Sequence, residues 1–214
     1  MKSILILTLL LLPFAFAKDP RKCFQVTATR DGLKQAALWA VQSQKTIQYT
    51  QGTDRWSGIA NYVCPFVDVP PYADCSSFVT WLYWSAFGLY PDYLNGQNWK
   101  AGYTGTMADN GVQISLADAQ FGDVVLYGTY PYDHTVLYVG DGQAVSYGET
   151  GPAKLININY RTDFVVRTYP DFFAIGTSCN GISGTCIDAD VTTCPKTLIQ
   201  NMCGGPDNVL CCPN

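Results

Sequence analysis

The spacing of apolar residues changes character three times along the chain. It opens with a short, nearly continuous apolar run from Ile4 to Leu12, broken only by Thr8, with Lys2 before it and the small-x-small triplet Ala15-Phe16-Ala17 after it. That pattern predicts a secretory signal peptide over residues 1–17. The run is too short for a permanent anchor across a bilayer of ~30 Å, so no stable membrane attachment is expected. From Asp31 to Ile47 the apolar positions Leu33, Ala37, Ala40, Val41 and Ile47 follow Asp31 as N-cap, which predicts a helix. From Asp74 to Gly88 a second helix is predicted, with Asp74 as N-cap, Phe78, Val79, Leu82 and Ala86 as its buried stripe and Gly88 as its stop.

After Gly122 the period shortens. Strands are predicted at Asp123–Gly128, Thr135–Gly140, Gln143–Gly148, Leu155–Tyr160 and Phe164–Tyr169, with Asp141-Gly142 as a tight hairpin turn. Helices followed by consecutive antiparallel strands make an α+β domain, expected over residues 18–177. The last stretch, residues 178–214, holds six cysteines (Cys179, Cys186, Cys194, Cys203, Cys211 and Cys212) and few large apolar residues. So short a segment rarely folds without cross-links, and it is expected to be a small disulfide-rich unit.

Composition narrows the function. Hydrophobic residues make up 48% and charged residues 14%, well below the ~25% charged of ordinary domains, which excludes a disordered chain. The formal charge is −4, from thirteen basic and seventeen acidic residues. Phosphate backbones need a basic face, so nucleic acid is excluded as a partner. One histidine, and cysteines expected to be oxidised in a secreted protein, leave little for a metal; no metal and no cofactor are expected. A secreted, extracellular monomer is the expected state.

Nine cysteines are an odd number, so at least one thiol is left over. Cys23, Cys64 and Cys75 lie outside the tail. Cys75 follows Asp74 at a helix start, where backbone N–H groups and the positive end of the helix favour a thiolate. His134, the sole histidine, begins a strand that can pack against that helix, the arrangement of a cysteine–histidine nucleophile pair. From position alone the opposite reading stands beside it: Cys75 in a disulfide with Cys23 or Cys64, and His134 a satisfied surface residue.

Local sequence then adds a resemblance. Asp74-Cys75-Ser76-Ser77-Phe78-Val79 resembles the nucleophile motif of the papain-like NlpC-type cell-wall cysteine peptidases. Gly122-Asp123-Val124-Val125, followed by Asp133-His134-Thr135-Val136-Leu137-Tyr138-Val139-Gly140, is similar to that family's second motif. Tyr49-Thr50-Gln51-Gly52 before Arg55-Trp56-Ser57-Gly58-Ile59 resembles its segment with a pocket tyrosine. The likeness runs from about Leu33 to Tyr169, and three ordered motifs are far more specific than one.

The resemblance implies roles. Cys75 would be the nucleophile and His134 the base and acid. Tyr49 and the Cys75 N–H would stabilise the oxyanion, and Asp74, with Ser76 beside it, would line the substrate site, Asp74 meeting a free amine. Where the family places His, Glu, Gln or Asn, this chain has the uncharged Ser146. A free Cys75 implies Cys23–Cys64 as the bridge of the larger unit. The tail's spacing resembles a defensin-type knot, which implies Cys179–Cys211, Cys186–Cys203 and Cys194–Cys212. The implied activity is endopeptidase cleavage of bacterial peptidoglycan stem peptides, at bonds of the γ-D-glutamyl-diamino acid type. A thioester-mediated acyl transferase and a non-catalytic secreted cell-wall-binding or defence protein are the alternatives.

Overall fold

Thr29, not Asp31, begins the first helix of the computed structural model: its side-chain oxygen accepts from the N–H of Gly32 at 3.1 Å. The structure describes residues 29–63, 66–87, 92–96, 102–174, 176–189, 192–203 and 209–214. The expected signal peptide, Cys23, Cys64 and Gly88 lie outside them. Helix α1 (Arg30–Gln42) ends five residues before Ile47, at the C-cap Ser43, and Gln44 turns the chain with a φ of 53°. Ile47 is buried, but as an isolated bridge partner of Gly151 rather than as helix.

Strand β1 (Gln48–Tyr49) and helix α2 (Asp54–Ala60) follow, then β2 (Tyr72–Ala73), which pairs parallel to β1. Helix α3 (Cys75–Phe87) starts where expected, but it has no single buried stripe. Twelve of its thirteen residues are buried, and Ala86, assigned to the stripe from the sequence, is the half-exposed one. A helix apolar on all sides belongs inside the fold. Helix α4 (Thr104–Asn110) is the last α-helix among the described residues.

The sheet comprises β3 (Val112–Ile114), β4 (Val124–Tyr127), β5 (His134–Gly140), β6 (Gln143–Ser146), β7 (Lys154–Asn157) and β8 (Phe164–Thr168), in the spatial order β3-β8-β4-β5-β6-β7, all antiparallel. Asp141 and Gly142 join β5 to β6 with φ of 52° and 70°. Two positive φ values are what a type I′ hairpin requires. Strand β7 stops at Asn157, whose side chain accepts from Asn159 N at 2.8 Å and turns the chain into a 3-10 segment at Ile158–Tyr160.

One face of the sheet (Val124, Leu126, Leu137, Val139, Val145) packs on Leu33, Ala37, Phe78 and Leu82 of α1 and α3. The other face (Val125, Tyr127, Val136, Tyr138, Ala144) closes a second core with Ile158 and Val166. Strand β4, between the two, is buried at every position.

The tail adds the antiparallel pair β9 (Gly184–Asp188) and β10 (Val209–Pro213). It is closed by Cys179–Cys211, Cys186–Cys203 and Cys194–Cys212. Its apolar cluster is little more than Ala174, Cys179, Cys186, Val209 and Cys211. Among the described residues, no helix is long and apolar enough to cross a membrane.

Candidate active site

Asp74 closes the N-terminus of α3 through a reciprocal cap. Its Oδ1 accepts from the Ser77 N–H at 2.8 Å, while its own N–H donates to Ser77 Oγ at 2.8 Å. Two helix-end donors are thereby satisfied by one pair of residues. Ser76 Oγ donates to the same Oδ1 at 3.0 Å. The cap holds Cys75 at the first helical position, 6% exposed. The backbone N–H groups of Thr135, Ser76 and Cys75 lie near its sulfur and favour its ionised form. Cys75 is the free cysteine among the described residues.

The charge state differs from the expected thiolate. Burial, with the Asp74 carboxylate behind it, pushes the Cys75 thiol up to about 11, and the nearby backbone N–H groups only partly oppose that. At neutral pH the sulfur keeps its proton.

His134 opens β5 opposite Tyr127 of β4, and the two rings stack with centroids 6.0 Å apart. Its Nε2 lies 3.0 Å from Ser146 Oγ. Burial pulls the imidazole below 6.5, against the pull of Asp133 and with the help of Arg161, so the ring is neutral at pH 7. The Thr135 N–H that reaches the Cys75 sulfur belongs to the residue after His134, so the start of β5 meets the start of α3.

Tyr49 arrives through the parallel pairing of β1 with β2, which sets it opposite Ala73, one residue before Asp74. Burial first, and the neighbouring Cys75 second, raise its phenol above 10; it stays a hydroxyl donor. Arg55 of α2 was not singled out from the sequence, yet its Nη1 donates to Asp74 Oδ2 in an ion pair with side chains 16% and 5% exposed. An arginine just ahead of the apolar stretch Trp56 to Ala60 was the available signal. Its Nε is buried without a partner.

A cavity of about 250 Å³ lies beside Ser146, bounded by Gly148, Glu149, Pro152, Lys154 and Ile156. A larger one of about 380 Å³ lies at the junction with the tail, against Arg30, Phe173 and Asn180. Cys75 lines neither of these two. Among the described residues the one grouping with metal-ligand spacing is the sulfurs of Cys179, Cys186 and Cys203, and all three are committed to disulfides.

Comparison with known proteins decides the family. The family model of NlpC/P60 matches residues 52–163, just over half of the chain. The chain belongs to the NlpC/P60 family. Asp74, Cys75, His134 and Ser146 fall within the matched span, and Tyr49 just before it. No curated protein matches the chain at a significant level.

Solved NlpC/P60 structures similar to it include the NlpC/p60 domain of the peptidoglycan hydrolase SagA, at 18% identity and TM-score 0.44, covering 63% of this chain and 97% of that one. An NlpC/P60 protein from Bacillus cereus is 18% identical with TM-score 0.45, and the match covers 67% of this chain but 41% of that one. RipD from Mycobacterium tuberculosis, described as a non-catalytic NlpC/p60 domain protein adapted to peptidoglycan binding, is 21% identical with TM-score 0.38, covering 64% and 97%. Membership implies either hydrolysis of peptidoglycan or binding to the cell wall.

Proposed function

We propose that the chain is a secreted cysteine endopeptidase that hydrolyses an amide bond in bacterial peptidoglycan stem peptides, with an NlpC/P60 unit up to about residue 177 and a disulfide-bonded tail after it. The observation that carries this reading is the free thiol of Cys75 at the first turn of a buried helix that packs against β5, the strand opened by the sole histidine.

The chemistry follows from the protonation states. His134 Nε2 faces Ser146, which leaves Nδ1 to take the thiol proton. As that proton leaves, the sulfur attacks the amide carbon, and the carbonyl electrons move onto oxygen, where the Cys75 N–H and the Tyr49 hydroxyl donate to it. Collapse expels the amine, which receives the proton from His134 and leaves a thioester on Cys75. Water then attacks the thioester with His134 as base, releasing the carboxylic acid and restoring the thiol. Because thiol and imidazole both rest neutral, the proton moves during the attack instead of beforehand.

A second reading, wall binding without hydrolysis, is favoured by that same resting thiol and by the absence of charge at Ser146. Incubating purified muropeptides with the wild type and with Cys75→Ala separates the two. The expected result is new amine and acid termini with the wild type only, and iodoacetamide labelling of Cys75 without prior reduction. Intact muropeptides retained equally by both proteins would replace the peptidase reading with the binding one.

A further inference from the structure

Ser146 gives His134 a single neutral hydrogen bond, which leaves most of the ring's orientation to other groups. Those groups lie across β5, on the β4 side; the inference drawn from them deepens the reading just given and rests on it. The imidazole stacks on the Tyr127 ring with 22° between the planes. The Tyr127 phenol is itself anchored, donating to Ile158 O at 2.9 Å, and the guanidinium of Arg161 lies over the same ring, 5.5 Å from its centroid. A Cβ at position 148 would stand 3.3 Å from His134 Cε1, so the chain after β6 passes close to the ring as well.

Arg161 also ties down the loop that delivers His134. The β4–β5 connection, residues 128–133, ends in Asp133, directly before His134. Arg161 Nη1 and Nη2 donate to the two oxygens of Asp133 at 2.7 and 3.2 Å, while Nε and Nη2 donate to the two oxygens of Asp163 at 2.9 and 2.6 Å. Asp163 O accepts from the Gly128 N–H at 2.8 Å, so Arg161 and Asp163 together hold both ends of the loop. The side chains of Arg161, Asp133 and Asp163 are 30%, 63% and 54% exposed. A lone ion pair that open to water contributes little, but a guanidinium forked on two carboxylates fixes geometry as well as charge.

We infer that Arg161 is a positioning residue for His134: by gripping the loop before it and lying over the ring it stacks on, Arg161 sets where the imidazole stands relative to Cys75. The orientation that a charged residue at position 146 would supply comes instead from the opposite neighbouring strand. The charges acting on the ring are Asp133, which favours the imidazolium, and Arg161, which disfavours it. The phenols of Tyr127 and Tyr160 and the Cys75 thiol keep their protons at neutral pH. Asp74 on the α3 side is paired with Arg55, and Glu149 on the β6 side with Lys154.

The chain has one histidine, so NMR of the untagged protein reads the titration of His134 from one imidazole Cε1–H resonance. Arg161→Gln removes the positive charge and frees the Asp133 carboxylate. Both changes favour the imidazolium, so the midpoint should rise, by about half a unit because water screens the exposed carboxylate. Asp133→Asn should lower it. On muropeptides, Arg161→Gln should lose about tenfold in kcat/KM, chiefly in kcat, because a misplaced base slows the chemistry and not the binding. Arg161→Lys keeps the charge but cannot fork two carboxylates, so it should restore the wild-type midpoint and only part of the rate. The midpoints are equally readable in Cys75→Ala, so absent cleavage would count against the peptidase reading while the titration still decides this one. An Arg161→Gln midpoint or rate equal to that of the wild type, or an Asp133→Asn midpoint that does not fall, would overturn the inference.

Discussion

Asp74 and Asp123 invite comparison, because each is the acidic residue of a motif, each is buried, and each is paired with an arginine from an earlier helix. Around Asp123 both carboxylate oxygens and both Nη atoms of Arg30 have partners. Arg30 Nη1 donates to Asp123 Oδ1 and to Phe121 O, both at 2.8 Å, and Nη2 donates to Thr168 Oγ1 at 3.1 Å. The guanidinium lies over the Phe173 ring at 3.8 Å. Asp123 Oδ2 accepts from Gln120 N at 2.8 Å. Around Asp74 the partner arginine has a buried donor left over, and a protonated thiol sits one residue away. The network at Asp123 clips α1 to the sheet; the one at Asp74 lies beside the Cys75 thiol. Completeness of hydrogen bonding, more than burial or charge, is what differs between the two pairs.

The largest expected effect breaks the complete pair. Asp123→Ala strands Arg30, and losing one partner of a buried ion pair costs about 3–5 kcal/mol. Arg30 is 23% exposed, so water offsets part of this, and about 3 kcal/mol is expected from the urea midpoint. Arg55→Gln should lose about 1 kcal/mol by the same measurement, since its amide still donates to Asp74. Equal losses at the two sites would mean that both pairs serve stability alone.

How far the sequence discloses all this differs between the two motifs. Asp123 opens a clear strand run, and the succession of short strands from β4 to β8, with the Asp141-Gly142 turn, is local enough to read directly. The order of strands is not: β8 inserts between β3 and β4, a pairing that no local pattern encodes. Helices α2 and α4 have seven residues each, too few to display a period. Gly58 in α2 reads as a helix weakener, yet a Cβ there would sit 2.8 Å from Tyr72 O, so it is the close approach of α2 to β2 that calls for glycine. Cys75 was visible through its cap. Its protonated state was not, because that depends on burial and on Asp74, and burial belongs to the assembled fold.

A smaller effect sharpens the same contrast. Asp74 lies beside the sulfur and disfavours its ionised form, so wild-type alkylation by iodoacetamide should keep climbing with pH toward about 11 rather than level off near neutrality. Asp74→Asn keeps a competent N-cap but removes the negative charge. The thiol pKa then falls, and at any pH below it the thiolate fraction rises, by about tenfold for each unit. A faster rate at pH 8 with an unchanged far-UV spectrum is the expected outcome. An unchanged rate would mean that burial alone holds the proton.

The smallest effect belongs to the uncharged end of the site. Ser146 offers His134 a neutral hydrogen bond at 3.0 Å, worth about 1 kcal/mol, so Ser146→Ala should lower kcat/KM by less than about tenfold. Charge there should act differently. His134 lies below 6.5 because burial disfavours its protonated form; activity therefore survives below pH 6.5 and falls only as the pH drops through that lowered value. A carboxylate in Ser146→Glu would stabilise the imidazolium, raise its pKa and move the acid limb to higher pH, while speeding the step in which the ring takes the thiol proton. If the pH profile of Ser146→Glu overlays that of the wild type, the 146 position does not orient His134, and the ring is held by its stacking on Tyr127 instead.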